Sequence, residues 1–302
     1  MLSKALQAKR NFFVSGIILL LISGTLARAE KALLIGAIPD QHPEKLNRIY
    51  NLLAQEMSKE LKVSVKYIPV TNYTAAVSAF RTKSIDLVWF GGLTGVQARL
   101  QRGGGHVIAQ RDIDSNFKSV FVANKGSKIE KIETIRDLKK LKSKRFTFGS
   151  ESSTSGRLMP QYFLKLAGVN NNDFAGGSAG FSGSHDSTIT LVQSGSYEAG
   201  ALNKQVWDSN LKSKRLRIDK LSVIWTTPPY ADYHWLAQPD LDSKFGIEFK
   251  VKLKQFFLNL HKKNSDSSTR IMKLFGASKF ISADKKQYRS IEDIGRELGK
   301  IN

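Results

Sequence analysis

The chain has 302 residues, 41% hydrophobic and 10% aromatic, enough to build a core in one large domain or two of average size. It contains no cysteine, which excludes disulfides and a lipid-anchored N-terminal cysteine. The formal net charge of +21 points to an anionic partner, but the lysines and arginines are scattered and no zinc-finger, helix-turn-helix or RNP signature accompanies them, so nucleic acid is set aside.

Residues 1–29 read as a secretory signal. Lys4, Lys9 and Arg10 form its basic start, and the apolar run Phe12–Ile22 is about half the length that crosses a bilayer. Ala27-Arg28-Ala29 is a small-residue cleavage site. Cleavage after Ala29 and a periplasmic location are expected, an uncleaved anchor being the competing reading. The signal holds four positive residues and no acid, so residues 30–302 carry +17. Such a charge suits a field that draws in a small anion, or simple solubility.

Downstream, Ala32–Ile38 is a continuous apolar strand. Leu46, Ile49, Tyr50, Leu53 and Met57 follow at helical spacing. Val63–Val70 alternates as a strand, Tyr73–Arg81 is a short helix, Asp86–Phe90 is a third strand, and Thr94–Gln101 is helical again. Val107–Gln110 and Ser119–Ala123 read as strands and Ile135–Leu141 as a helix. The strand Arg145–Phe148 leads into Gly149–Pro160, and Leu158, Tyr162, Phe163 and Leu166 leave it at helical spacing. A helix carrying Ile189, Leu191 and Val192 follows Phe181–Asp186. Glu198–Asn203, Leu221–Trp225 and Tyr233–Ala237 are strands, and helices follow near 243–262, 267–275 and 284–298.

Strands alternating with helices imply α/β units with mainly parallel sheets. The order suggests one unit interrupted by a second: lobe 1 from 30–120 plus 231–302, and lobe 2 from 121–230. Crossings near 118–124 and 226–234 would form a hinge under a cleft that closes on a ligand. In such sheets ligands bind beyond the carboxyl ends of strands, where Gln41, Gly91, Gly92 and Thr94 lie.

The chemistry gathers at Ser152-Ser153-Thr154-Ser155-Gly156, where a strand turns into a helix. A helix N-terminus carries unpaired N–H groups and partial positive charge, and added hydroxyls donate further hydrogen bonds. The stretch is either an ordinary N-cap or a seat for an anion. His185, between Ser184 and Asp186, is either a ligand contact or a satisfied structural histidine. Tyr230, after Pro228-Pro229 in the expected hinge, is a cleft candidate; Trp89, Trp207 and Trp225 read as core. No G-x-S-x-G elbow, Walker loop, G-x-G-x-x-G or metal-ligand spacing occurs among the five histidines, so catalysis, a metal and a cofactor are not expected. A Ser/His hydrolase is the enzymatic alternative.

Three segments together carry a resemblance: Asp86-Leu-Val-Trp-Phe-Gly-Gly-Leu-Thr-Gly95, Ser152-Ser-Thr-Ser-Gly-Arg-Leu-Met-Pro160, and Phe181-Ser-Gly-Ser-His-Asp186 with Glu198-Ala-Gly-Ala201 downstream. In this order they resemble the phosphate/phosphite/phosphonate family of ABC-transporter substrate-binding proteins, over nearly all of residues 30–302. Ile38-Pro-Asp-Gln41 is also similar to a branch labelled as selenate binders. The resemblance implies the type II periplasmic binding protein fold, with two α/β lobes and a two-strand hinge, and capture of a small tetrahedral oxyanion for a membrane permease. Carried over by position, it implies that Ser153, Thr154, Ser155 and His185 donate to ligand oxygens. The family's ligand-contacting tyrosine is matched by Gly95, so one donor is lost, for which Thr94 or Trp89 would compensate. The family's acidic residue aligns loosely at 198–203, where Asn203 would be a neutral substitute. The expected site is therefore Gln41, Thr94, Ser153, Thr154, Ser155, His185, Asn203 and Tyr230, in a monomer. A binding or sensor protein for an uncharged organic nutrient is the alternative on the same fold.

Overall fold

A computed structural model of the chain describes residues 31–302; the expected signal, residues 1–29, lies outside the described residues. In chain order come β1 (Leu33–Ala37), α1 (Pro43–Leu61), β2 (Val65–Tyr67), α2 (Tyr73–Arg81), β3 (Leu87–Phe90), α3 (Gly92–Arg102) and β4 (His106–Arg111). Then follow β5 (Ser119–Asn124), β6 (Phe146–Phe148), α4 (Met159–Leu166), β7 (Gly180–Phe181), α5 (His185–Gln193), β8 (Ala199–Asn203), α6 (Lys204–Lys212) and β9 (Leu221–Thr226). The last elements are β10 (His234–Ala237), α7 (Leu241–Phe245), α8 (Phe249–Asn259), α9 (Asp266–Phe275), β11 (Phe280–Ser282) and α10 (Arg289–Glu297).

The strands form two sheets, one in each lobe. The first has the order β11-β4-β10-β3-β1-β2 and the second β7-β6-β8-β5-β9. Within the first, β1 runs parallel to β2 and β3, as the βαβ pattern requires. β10 lies between β3 and β4 and runs antiparallel to both. In the second sheet β6 is parallel to β7 and β8, while β5 is antiparallel to β8 and β9. The sheets are thus mixed rather than mainly parallel. The cause is the crossing: β5 and β10 are the strands that carry the chain between lobes, and each enters its sheet against the local direction.

The two crossing segments are paired. Phe117 and Tyr230 exchange backbone hydrogen bonds of 2.8 and 2.9 Å. Two residues beyond Phe117, the Ser119 N–H donates to Thr227 Oγ1 at 2.9 Å.

Local chemistry sets the elements that feed the cleft. α1 opens on Pro43, whose missing N–H costs nothing in the first turn. The Asn72 side chain caps α2 by accepting from the Ala75 N–H at 2.8 Å. Gly91 precedes α3, and the helix ends at Gly103 in the left-handed region. β3 is buried along its whole length, and Trp89 stacks on Tyr233 at 5.7 Å, placing the β10 approach beneath the cleft. Residues 135–141, expected as an α-helix, form a tighter 3₁₀ turn closed by reciprocal Thr134–Asp137 bonds.

Candidate functional site

β6 ends at Gly149, whose N–H donates to the Gly156 carbonyl at 2.8 Å. The chain loops out and returns at Ser153, whose Oγ accepts from the Gly156 N–H at 2.9 Å. Thr154–Leu158 is then a π-helical turn, wider than an α-turn, with Leu158 N–H reaching back to the Ser153 carbonyl at 2.9 Å. The Ser/Thr stretch is therefore a cap, as its composition allows, and something more. Ser153, Thr154 and Ser155 are each no more than 2% exposed. A Cβ on Gly156 would lie 3.1 Å from the His185 ring and 3.0 Å from Ser153 Oγ, so glycine is what lets the imidazole pack on the turn.

Thr154 reaches across the cleft. Its Oγ1 accepts from the Leu93 N–H at 2.9 Å, joining lobe 2 to the first turn of α3. Beside it stands Asp232, fully buried, whose Oδ1 accepts from the Gly92 N–H at 2.9 Å. Burial pushes the Asp232 carboxyl up to about 7, with the Gly92 N–H and the Thr154 and Ser155 hydroxyls opposing and the Asp114 charge adding to the rise.

Three buried polar atoms in this corner have no hydrogen-bond partner: Asp232 Oδ2, Ser155 Oγ and Tyr73 Oη. Tyr73 approaches the Ser153 hydroxyl, and Ser155 lies near both Tyr230 and Asp232, without a bond of good geometry in either case. Tyr230 bonds Ser119 Oγ, which in turn donates to the Ser155 carbonyl at 2.7 Å. Buried polar groups are normally satisfied, so this convergence makes the corner the candidate binding site.

A second network adjoins it. Tyr233 Oη donates to Asp40 Oδ2 at 2.9 Å and receives from Asn203 Nδ2 at 3.0 Å. His185 Nε2 lies 3.2 Å from the same hydroxyl, and His185 Nδ1 faces the Asn203 N–H at 3.4 Å. With Nδ1 accepting, the proton sits on Nε2 and is directed at Tyr233. Burial pushes His185 down to about 4, so the ring is neutral near pH 7. Burial also pushes Asp40 up to about 6, against the Tyr233 hydrogen bond and the Arg111 charge.

The expected residues divide accordingly. Thr154, Ser155 and Tyr230 come together around Asp232, and Ser153 faces Tyr73. His185 and Asn203 form the adjoining network, where both imidazole nitrogens face protein groups and Asn203 Oδ1 caps α6 through the Val206 N–H at 3.0 Å. Gln41 accepts from the Lys45 ammonium, and Thr94 Oγ1 donates to the Gly91 carbonyl at 3.1 Å. Residue-type reasoning passed over Tyr73, Asp232, Tyr233 and Asp40. The signal for Asp232 was present: an acid inside the otherwise aromatic and apolar run Tyr230–Ala237. Tyr73, directly after the cap Asn72, offered only an aromatic at a helix start.

The space beside Gly95 is filled. A Cβ there would sit 2.3 Å from the His234 ring, which packs on Tyr288 with centroids 4.1 Å apart. Trp89 lies beneath Tyr233 and is 3% exposed, a support rather than a replacement donor. A cavity of about 720 Å³ lies elsewhere; Phe117, Lys118, Lys204, Lys212 and Lys273 line it, and none of the residues around Thr154 does. Among the described residues no group of His, Asp and Glu is arranged to hold a metal.

Comparison with known proteins relates the chain to one family. The profile described as "ABC transporter, phosphonate, periplasmic substrate-binding protein" matches residues 35–288. The chain is 56% identical to the "Probable ABC transporter phosphite binding protein PhnD1" of Prochlorococcus marinus (strain MIT 9301), over 97% of this chain and 98% of that one. It is 28% identical to the phosphonates-binding periplasmic protein of Escherichia coli (strain K12), over 66% of this chain and 58% of that one. Among solved structures, PhnD1 of Prochlorococcus marinus (MIT 9301) in complex with methylphosphonate superposes with a TM-score of 0.87 at 58% identity, covering 90% of this chain and 99% of that one. None of these relatives is described as a selenate binder.

Proposed function

We propose that this chain, which belongs to the periplasmic substrate-binding proteins of phosphonate ABC transporters, captures phosphite or a short alkylphosphonate between its lobes. Members of this family bind and deliver a solute to a membrane permease; they are not enzymes. The observation that carries the ligand assignment is the corner where Tyr73 Oη, Ser155 Oγ and Asp232 Oδ2 are buried without partners. The first two donate hydrogen bonds, and the helical turn from Thr154 adds N–H groups and a positive dipole end. Neutral donors in a dry site hold a small oxyanion well. The relative solved with methylphosphonate supports the same class.

Asp232 sets the proton count. A carboxylate facing an anion repels it unless one of the two carries a proton. With its carboxyl near 7, Asp232 shares a proton with a ligand that itself titrates near neutrality. Phosphite and alkylphosphonates do so; sulfate and selenate do not. The pocket therefore favours protonatable phosphorus anions, and the selenate expectation falls away from the proposal.

Ser153, Thr154, Ser155 and Tyr73 contact the ligand, Tyr230 and Asp232 frame it, and His185 and Asn203 hold Tyr233 in place. Gln41 and Thr94 act locally, on Lys45 and on the start of α3. Lobe 1, residues 30–120 and 231–302, and lobe 2, residues 121–230, close by bending at the paired crossing around Phe117 and Tyr230. The protein works as a monomer, takes no nucleic acid, and is released by cleavage after Ala29. Each lost hydrogen bond to a charged ligand is worth about 1.5–3 kcal/mol, so Tyr73→Phe should weaken methylphosphonate binding roughly 10- to 100-fold. Calorimetric titration reads this directly, and an affinity equal to that of the parent would remove Tyr73 from the site.

A further inference from the structure

The lobes are tied at a second point that faces no ligand. α1 begins at His42, which offers its helix no side-chain cap. Its backbone N–H donates instead across the cleft, to Asp186 Oδ2 at 3.0 Å. Asp186 belongs to the first turn of α5 in lobe 2, where Ser184 already serves as that helix's own cap. The other oxygen of the same carboxylate, Oδ1, accepts from Asn210 Nδ2 of α6 at 3.1 Å. Next to it, the His185 N–H donates to the Asp40 carbonyl at 3.0 Å. Residues 40–42 of lobe 1 are thus bound to residues 185–186 of lobe 2 by two hydrogen bonds, one of them charge-assisted. The Lys45 ammonium, one turn into α1, also feels the Asp186 charge.

From this geometry we infer that Asp186 is a positioning residue: its carboxylate caps α1 from the opposite lobe only when the cleft is shut, and so sets how long a captured ligand is held. Both carboxylate oxygens are committed to protein groups, so Asp186 has no free acceptor to turn toward the ligand. The lobe 2 end of the tie is fixed by Asn210, which itself is anchored by donation to the Val206 carbonyl at 2.9 Å. Opening the lobes breaks the His42 bond and leaves the start of α1 uncapped, whereas the Asn210 bond persists in either state. The bond therefore contributes to the closed form alone, and a contribution confined to one state shifts the balance between the two. Because association begins from the open form, its loss should appear in the release rate rather than the capture rate. The inference rests on closure over a ligand as proposed above, but its own evidence is the pair of bonds between the lobes.

The experiment is stopped-flow binding of methylphosphonate, read by Trp fluorescence, together with small-angle scattering of the ligand-free protein. Trp89, stacked under Tyr233, supplies the signal. Asp186→Ala should raise the release rate about 10-fold or more, leave the association rate within about 2-fold, and enlarge the ligand-free radius of gyration. The isosteric Asp186→Asn keeps the shape of the site should the alanine variant fold poorly, and should show the same pattern at smaller amplitude. Asn210→Ala removes only bonds within lobe 2, to Asp186 and to the Val206 carbonyl, and should change release much less. A release rate and radius unchanged in both Asp186 variants would overturn the inference. Equal slowing of association and speeding of release, with Asn210→Ala behaving like Asp186→Ala, would also overturn it by reducing Asp186 to a fold-stabilising residue. If the parent protein binds neither methylphosphonate nor phosphite, the ligand assignment fails, and the scattering comparison alone then decides the role of Asp186.

Discussion

Asp232 illustrates how one side chain can trade stability for selectivity. Its carboxyl titrates near 7 in the fold and near the ordinary aspartate value when unfolded. Between those values the folded state binds the extra proton, so stability falls as pH rises through that window and stays reduced above it. Asp40, pushed up to about 6, acts in the same direction. His185 and His234, both pushed down to about 4 by burial, act in the opposite one: they cost stability as pH falls below about 6.5. Asp232→Asn should therefore stabilise the ligand-free protein by about 1–3 kcal/mol near pH 8, and the gain should vanish near pH 4. Denaturant titration across that range checks the sign. The same variant should bind fully ionised anions such as sulfate better than the parent does, because an amide donates where a carboxylate repels. No gain at pH 8 would mean that Asp232 is not strained in the closed fold. Of these residues, Ser153–Ser155 stood out in the sequence by type and position, as hydroxyls at a strand-to-helix turn that serve either as a cap or as an anion seat. Asp232 and Tyr73 were not, because their roles come from burial and from facing lobe 2, which lies far away in sequence.

At the level of elements, the turn from Gly149 to Leu158 does most to shape the site. Its width comes from the π-type hydrogen bonds and from two glycines in contact: a Cβ on Gly149 would meet Gly156 Cα at 3.3 Å. Gly156→Ala would crowd the His185 ring and Ser153 Oγ together and should cost about 1–3 kcal/mol, measured by thermal or denaturant unfolding. Ligand affinity should fall with it, because Thr154 and Ser155 would shift. A neutral outcome would show that the turn has room to spare. The helices and most strands were legible where an apolar period persisted, as in α1 and β3. Three elements were passed over: the two-residue strand β7, α6 and β11. α6 carries only Val206, Trp207 and Asn210 on its buried face, in a segment otherwise rich in polar residues. β11 is three residues long and exists because β4 offers it an edge. The mixed direction of the sheets was hidden for a similar reason: strand alternation reveals which faces are buried but not which neighbour a strand meets after crossing between lobes.

For the whole molecule, the proposed site belongs to neither lobe. Leu93 and Gly92 of lobe 1 donate to Thr154 of lobe 2 and to Asp232 at the crossing, and the Asp186 tie closes the other side. A ligand that completes this corner stabilises the closed arrangement by its own binding energy. The positive charge of residues 30–302 adds a long-range attraction for anions, so association should slow as ionic strength rises while release stays nearly constant. The most direct measurement is isothermal titration of residues 30–302 with phosphite, methylphosphonate, sulfate and selenate at one pH near 7 and one ionic strength. The expected result is saturable one-to-one binding of phosphite or methylphosphonate, with sulfate and selenate weaker by about 100-fold or more. Sulfate or selenate binding as tightly as either phosphorus anion, or no binding of both phosphorus anions, would contradict the assignment built on Tyr73, Thr154, Ser155 and Asp232.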